Sequence, residues 1–150
     1  MHAHDIVRDF GAIAKLQDFA LDDRGMSRLQ LDGTLVIDFE FDGTNNILHL
    51  YSNVAPAPHD CEPQLRLLME ANLFLDRSVG TTFALDGMTN EFMCCVRLEP
   101  EKLSADDLVR HVERMADAVE RLRADLAALA SSAPTPMADT DEIRFSLLRG

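Results

Sequence analysis

Basic residues are scarce in this 150-residue sequence: 14 Lys and Arg stand against 26 Asp and Glu, a formal charge of −12. Such a chain repels a phosphate backbone or an anionic membrane surface, so nucleic-acid and membrane binding are disfavoured. The same charge suits a basic or neutral polypeptide partner, and it equally serves plain solubility. No apolar run approaches the roughly 20 residues that a bilayer-spanning helix needs. The opening Met1-His2-Ala3-His4-Asp5 lacks the basic region and apolar stretch of a secretory signal. A cytoplasmic chain is therefore expected. Cysteine is sparse too: Cys61, Cys94 and Cys95 make an odd number, with no C-x-x-C spacing. Neighbours on a strand point to opposite faces, so Cys94 and Cys95 cannot readily share a metal, and buried reduced thiols are expected.

The common signatures of catalysis are missing. Neither G-x-x-x-x-G-K nor G-x-G-x-x-G occurs, so no phosphate-cradling loop is predicted. There is no G-x-S-x-G nucleophile turn. His2, His4, His49, His59 and His111 form neither an i, i+4 pair nor an H-E-x-x-H site. His59-Asp60-Cys61 lies in a proline-rich loop with no third group to orient it, and reads as solvated loop. Asp22-Asp23 and Asp106-Asp107 fall at turn or helix boundaries, where acids serve local needs. The expectation is a non-enzyme without metal or cofactor.

What is present is a core. Hydrophobic residues make up 47% of the chain, enough for one packed domain. Residues 4–17 read as an amphipathic helix with Ile6, Phe10, Ile13 and Gln17 on one face, Val7 and Ala14 beside them. Leu29 and Leu31 begin an alternating strand, and Asp32-Gly33 marks a tight turn. Leu35, Ile37, Phe39 and Phe41 alternate with Thr34, Val36, Asp38 and Glu40, which predicts a strand with one buried face. After Asp42-Gly43-Thr44-Asn45-Asn46, a third strand spans 47–52. A helix is predicted over about 63–75, strands over 81–85 and 91–98, and a long helix from Ser104 to about Leu129. Ser104 with Asp107 resembles a capping box. Leu108, Val112, Met115, Val119, Leu122, Leu126 and Leu129 keep a heptad-like spacing. That spacing fits a helix lying across its own sheet, and also a coiled-coil seam. Short hairpins separated by helices argue for an α+β fold: an antiparallel five-stranded sheet with three helices in the order α-β-β-β-α-β-β-α. The domain is expected over residues 1–130. Residues 131–150 are a Ser-, Ala-, Pro- and Thr-rich linker followed by a short apolar tail.

The stretch Leu67-Leu68-Met69-Glu70-Ala71-Asn72-Leu73-Phe74 is apolar on nearly every side. One small domain cannot cover such a helix, so a second copy of the chain is expected against it. This stretch, the element order, Gly80-Thr81-Thr82-Phe83-Ala84-Leu85-Asp86 and Val96-Arg97-Leu98 together resemble the class I type III secretion chaperones, the Tir-chaperone or CesT/SycE-like family. The resemblance covers about residues 4–129; the tail departs from the pattern.

The resemblance implies a homodimer paired through the second helix, with Leu65, Leu68, Met69, Asn72 and Leu73 as contacts. It also implies a cytoplasmic chaperone that binds the N-terminal segment of a secreted effector and keeps it soluble and export-competent. The secretion ATPase would be its further partner, and no nucleotide or other cofactor is implied. Effector-binding residues carried over from the pattern are Ile6, Val7, Phe10 and Ile13 of the first helix, with Leu29, Leu31, Leu35, Ile37 and Phe39 of the strands. About half of these are expected to be plain core, with Val7 and Val36 the exposed exceptions. The alternative is a dimeric adaptor or regulatory module with the same frame and no secreted client. The segment Ile143-Arg144-Phe145-Ser146-Leu147-Leu148 reads either as a frayed terminus or as a strand that docks on this domain or a neighbour.

Overall fold

The computed structural model describes residues 2–73 and 80–132. Helix α1 spans Ala3–Ile13, β1 Met26–Leu31, β2 Leu35–Asp42, β3 Ile47–Pro56, α2 Glu62–Asn72, β4 Thr82–Asp86, β5 Glu91–Leu98 and α3 Ala105–Ser132. The strands form one antiparallel sheet in the order β1-β2-β3-β5-β4. The expected architecture and element order are therefore present.

Alternation decides which face the helices cover. Leu29, Leu35, Ile37, Phe39, Leu48, Leu50, Phe83, Phe92 and Cys94 point inward and join buried residues of all three helices in one core cluster. The opposite face carries Val36, Asp38, Glu40, His49, Tyr51, Met93 and Cys95, half-buried or exposed. Helix α3 lays Leu108, Val112, Met115, Val119, Leu122 and Leu126 on the core. Its heptad-like stripe is thus spent on its own sheet. The helix starts with a reciprocal cap: Asp107 N–H donates to Ser104 Oγ at 3.1 Å, and Ser104 N–H to Asp107 Oδ2 at 2.9 Å.

Helix α1 ends four residues before the expected boundary, and Gln17 lies exposed beyond it. Lys15 and Asp18 take positive φ, of 56° and 53°, and turn the chain back. Phe19 then packs edge-on to Phe10 and Phe39, with centroids 5.6 and 5.4 Å away. Only glycine fits at position 11, where a Cβ would stand 2.9 Å from Phe19 Cβ.

Helix α2 is less uniformly apolar than expected. Its first turns carry Glu62 and Arg66, joined by an ion pair at 3.4 Å, and Glu70 continues that exposed row. Leu68 and Ala71 are buried, whereas Met69 and Leu73 are exposed. Phe74 and Leu75, placed in this helix from sequence, lie outside the described residues. Helix α3 continues through Ser131 and Ser132, expected in the linker; the rest of the linker and tail lie outside the described residues.

Candidate protein-binding surfaces

The two edges of the sheet differ. At β1, Met26 N–H donates to Asp22 Oδ1 at 2.8 Å, and Met26 C=O accepts from Asp22 N–H at 2.8 Å. Both main-chain groups of Met26 therefore point away from β2. In an antiparallel ladder the direction alternates, so Arg28 and Gln30 also turn their N–H and C=O outward. These four groups form an open edge. At β4 one outward position is taken: Phe83 N–H donates to Asn72 Oδ1 at 2.8 Å, and Asn72 Nδ2 donates to Phe83 C=O at 2.9 Å, while Leu85, two residues on, turns its N–H and C=O outward in the same phase. The Asn72 amide thus stands in for a neighbouring strand and ties α2 to β4.

The ladder between β2 and β3 stops at Asp38 and Tyr51. Beyond that point β3 bulges between Asn53 and Ala55, and Arg123 of α3 fills the opening. Its guanidinium donates to Val54 C=O at 2.9 Å, Asn53 C=O at 3.1 Å and Thr34 C=O at 3.4 Å. Carbonyls accept these protons without neutralising the charge. A cavity of about 260 Å³ opens there, lined by Arg28, Thr34, Val36, Asp38, Asn53 and Arg123. Arg28 and Asp38, directly opposite in the β1–β2 register, form a two-pronged ion pair at 2.6 and 3.1 Å.

Most of the expected effector patch is interior. Ile6, Val7, Phe10, Leu29, Leu35, Ile37 and Phe39 are buried, at 0–4% exposure. Val7 corrects the expectation most clearly. Helix α1 packs against α3 as well as joining the core over the sheet, so the flank of its main apolar stripe is covered too. Val36 is half-buried on the opposite sheet face. Ile13, at 46% exposure, and the partly buried Leu31 keep access to solvent, as do the partly buried Leu16 and Phe19.

The expected dimer residues divide too. Leu68 is core, Asn72 is spent on Phe83, and Leu65 is half-buried. Met69 at 75% and Leu73 at 63% exposure stand free and, with Leu65, Glu62, Arg66 and Glu70, line a groove of about 440 Å³. A second hollow of about 560 Å³ lies on the uncovered sheet face, over Glu40, His49, Tyr51, Met93 and Cys95 up to β4. Burial, then the charges of Glu40 and Asp38, push the Tyr51 hydroxyl above its ordinary pKa.

Among the described residues no group of three or more His, Cys, Asp and Glu is placed to hold a metal. The three cysteines are unpaired thiols. Burial pushes Cys94 up to about 12 and raises Cys95, so neither is an activated nucleophile. No described helix is long and apolar enough to cross a membrane.

Sequence reasoning overlooked Arg123, the outward groups of Arg28 and Gln30, and the pairing of Asn72 with Phe83. The facing of Arg28 and Asp38 was accessible, since a three-residue turn after Leu31 sets that register. Arg123 sits in a helix rich in arginine, and nothing local sets it apart.

A helix-backed sheet with an open β1 edge, a β4 edge tied to α2 at Phe83, and exposed apolar grooves is the frame of a small polypeptide-binding module. The chain belongs to the Tir chaperone protein (CesT) family, whose model matches residues 5–123. No curated protein matches it by sequence. Solved structures share the fold. The HopA1–SchA chaperone–effector complex aligns with a TM-score of 0.66 at 24% identity, covering 79% of this chain and 91% of the other. The ExsC–ExsE complex aligns with a TM-score of 0.69 at 18% identity, covering 82% and 95%. The Yersinia pestis type III secretion chaperone SycH, in complex with a fragment of YscM2, aligns with a TM-score of 0.66 at 17% identity, covering 79% and 98%.

Proposed function

We propose that this protein is a cytoplasmic type III secretion chaperone. It binds the N-terminal segment of a secreted effector as a homodimer and holds it soluble and export-competent for the secretion ATPase. The observation that carries the reading is the family match across nearly the whole described domain. The mechanism is binding without covalent chemistry. Client main chain pairs with the open β1 edge, and client apolar side chains settle beside Ile13 and Leu31. Apolar burial and backbone pairing are offset by the cost of ordering a disordered segment. Met69 and Leu73 of α2 meet the second copy. The acidic surface favours a basic or neutral client and keeps the loaded complex soluble.

The test is a pull-down of the tagged chain from its native cytoplasm, with mass spectrometry and limited proteolysis of what copurifies. A secreted protein protected over an N-terminal stretch of order 50–100 residues supports the reading. Recovery of the chain alone, or with a cytoplasmic regulator, overturns it in favour of an adaptor.

A further inference from the structure

The cavity shared by Arg28 and Arg123 carries a positive charge that its walls do not cancel. We propose that it takes the carboxylate of one Asp or Glu side chain of the bound client. The proposal rests on the client-binding reading and names the chemistry of one client residue.

Charge sets the ligand. Two guanidiniums and one carboxylate line the cavity. Arg28 and Asp38 offset each other as a two-pronged pair at 2.6 and 3.1 Å. Arg123 is held by the carbonyls of Val54, Asn53 and Thr34, so its charge remains. The walls therefore carry a single positive excess, in a chain of net charge −12. A carboxylate matches that excess. A phosphoryl group brings about −1.5 to −2 and would set the surplus against Asp38.

Both arginines are held before a ligand arrives. The bonds to Asp38 and to the three carbonyls use Nε and Nη2 of each side chain, and Nη1 enters none of them. Each guanidinium thus has donors beyond those bonds. An incoming acceptor meets side chains whose ordering is largely complete, which lowers the entropic cost of binding.

Place links the cavity to the open edge. Arg28 gives its main chain to that edge and its side chain to the cavity. A client strand added there lies about 4.8 Å from β1. Its residues opposite Arg28 and Gln30 project onto the uncovered face, as Arg28 does. Diagonal neighbours on such a face stand about 7–8 Å apart, within reach of a long side chain. An acid at one of these positions meets Arg28 at the mouth of the cavity. The alternate residues of the same strand turn to the other face, where Ile13 is left 46% exposed. The client as a whole remains basic or neutral; the cavity asks for one acid at one position.

NMR of the Arg Nε–H signals in the isotope-labelled full chain, without client, tests the proposal. Three probes are titrated: N-acetylglutamate N-methylamide, its glutamine counterpart and inorganic phosphate. The glutamate probe is expected to shift the Arg28 and Arg123 signals saturably, with a dissociation constant at least about tenfold below that of the glutamine probe. Arg28→Gln leaves Asp38 to offset Arg123 and should weaken the glutamate probe at least about tenfold. The Arg28 side chain is 70% exposed, so the variant should fold. Absent shifts, equal affinity for the glutamate and glutamine probes, or unchanged affinity in Arg28→Gln overturn the proposal. Tighter binding of phosphate than of the glutamate probe assigns the cavity to a phosphoryl group and also overturns it. For a client that copurifies, Arg28→Gln should raise the dissociation constant at least about tenfold, and an unchanged constant overturns the assignment to a client. The probe titrations involve no client, so their failure is distinct from a failed pull-down.

Discussion

Replacing Met69 and Leu73 together by aspartate should break a dimer while leaving the protomer folded. Full burial of a Met or Leu side chain is worth about 1.5–3 kcal/mol. Met69 is 75% and Leu73 63% exposed in the single chain. A partner that covers both therefore gains about 2–4 kcal/mol from each protomer. A two-fold interface contains each residue twice. The low end is then about 4 kcal/mol per dimer, roughly a thousandfold in dissociation constant. The new carboxylates add desolvation and repulsion to that loss. Neither side chain supports the core, so protomer stability should move by less than about 0.5 kcal/mol. Sedimentation equilibrium across a dilution series reads the first quantity, and urea unfolding below the dissociation constant reads the second. The reasoning is refuted if wild type is monomeric at its solubility limit, or if the double variant dimerises as tightly as wild type.

Four further outcomes follow from the fold. Asn72→Ala strands the Phe83 N–H and C=O at a half-buried site and should cost about 1–3 kcal/mol in urea unfolding, with faster exchange of the Phe83 amide. Ser104→Ala removes the cap of α3 and should cost about 0.5–2 kcal/mol by thermal unfolding. Arg123→Lys should fail to rescue the stability lost in Arg123→Ala, because one ammonium cannot reproduce a planar fork across three carbonyls; equal midpoints for Lys and wild type would contradict this. Cys94, raised from 9.0 to about 12, keeps its proton longer when folded than when unfolded. The unfolded state therefore binds fewer protons between those values, and the Cys94 contribution is full below about pH 9 and declines as pH rises towards 12. The stability difference between wild type and Cys94→Ala should shift accordingly between pH 8 and about 11, against wild type, and a flat difference would refute it.

Local chemistry made much of the fold legible. Strand β5 runs from Glu91 to Leu98 as its alternation predicts, and Ser104 and Asp107 cap α3 as their spacing predicts. The heptad-like stripe of α3 could not by itself distinguish a partner helix from a sheet, and the sheet is what it covers. The end of α1 was misread because periodicity continues to Gln17, whereas Phe19 draws the chain back over Gly11. Exposure was the least legible property. Val7 looked like a flank residue, and it is fully buried in the core where α1 packs against α3. Asn72 looked like an interface polar group, and its partner is Phe83, eleven residues on and across a connection that local pattern does not describe. Alternation states which residues share a face, and the tertiary layers decide which face stays wet.

The two sheet edges show how this frame can bind polypeptide without joining sheets indiscriminately. An unguarded edge strand is a template for aggregation. At β4 a single amide occupies the outward groups of Phe83 and anchors α2 with the same two hydrogen bonds. At β1 only one end is closed, by Asp22 on Met26, which leaves the groups of Arg28 and Gln30 in a ladder about two pairs long. Two such pairs hold an extended segment weakly unless apolar side chains fall beside Ile13 and Leu31 at the matching alternation. Backbone pairing is blind to sequence, so selectivity rests on that alternation.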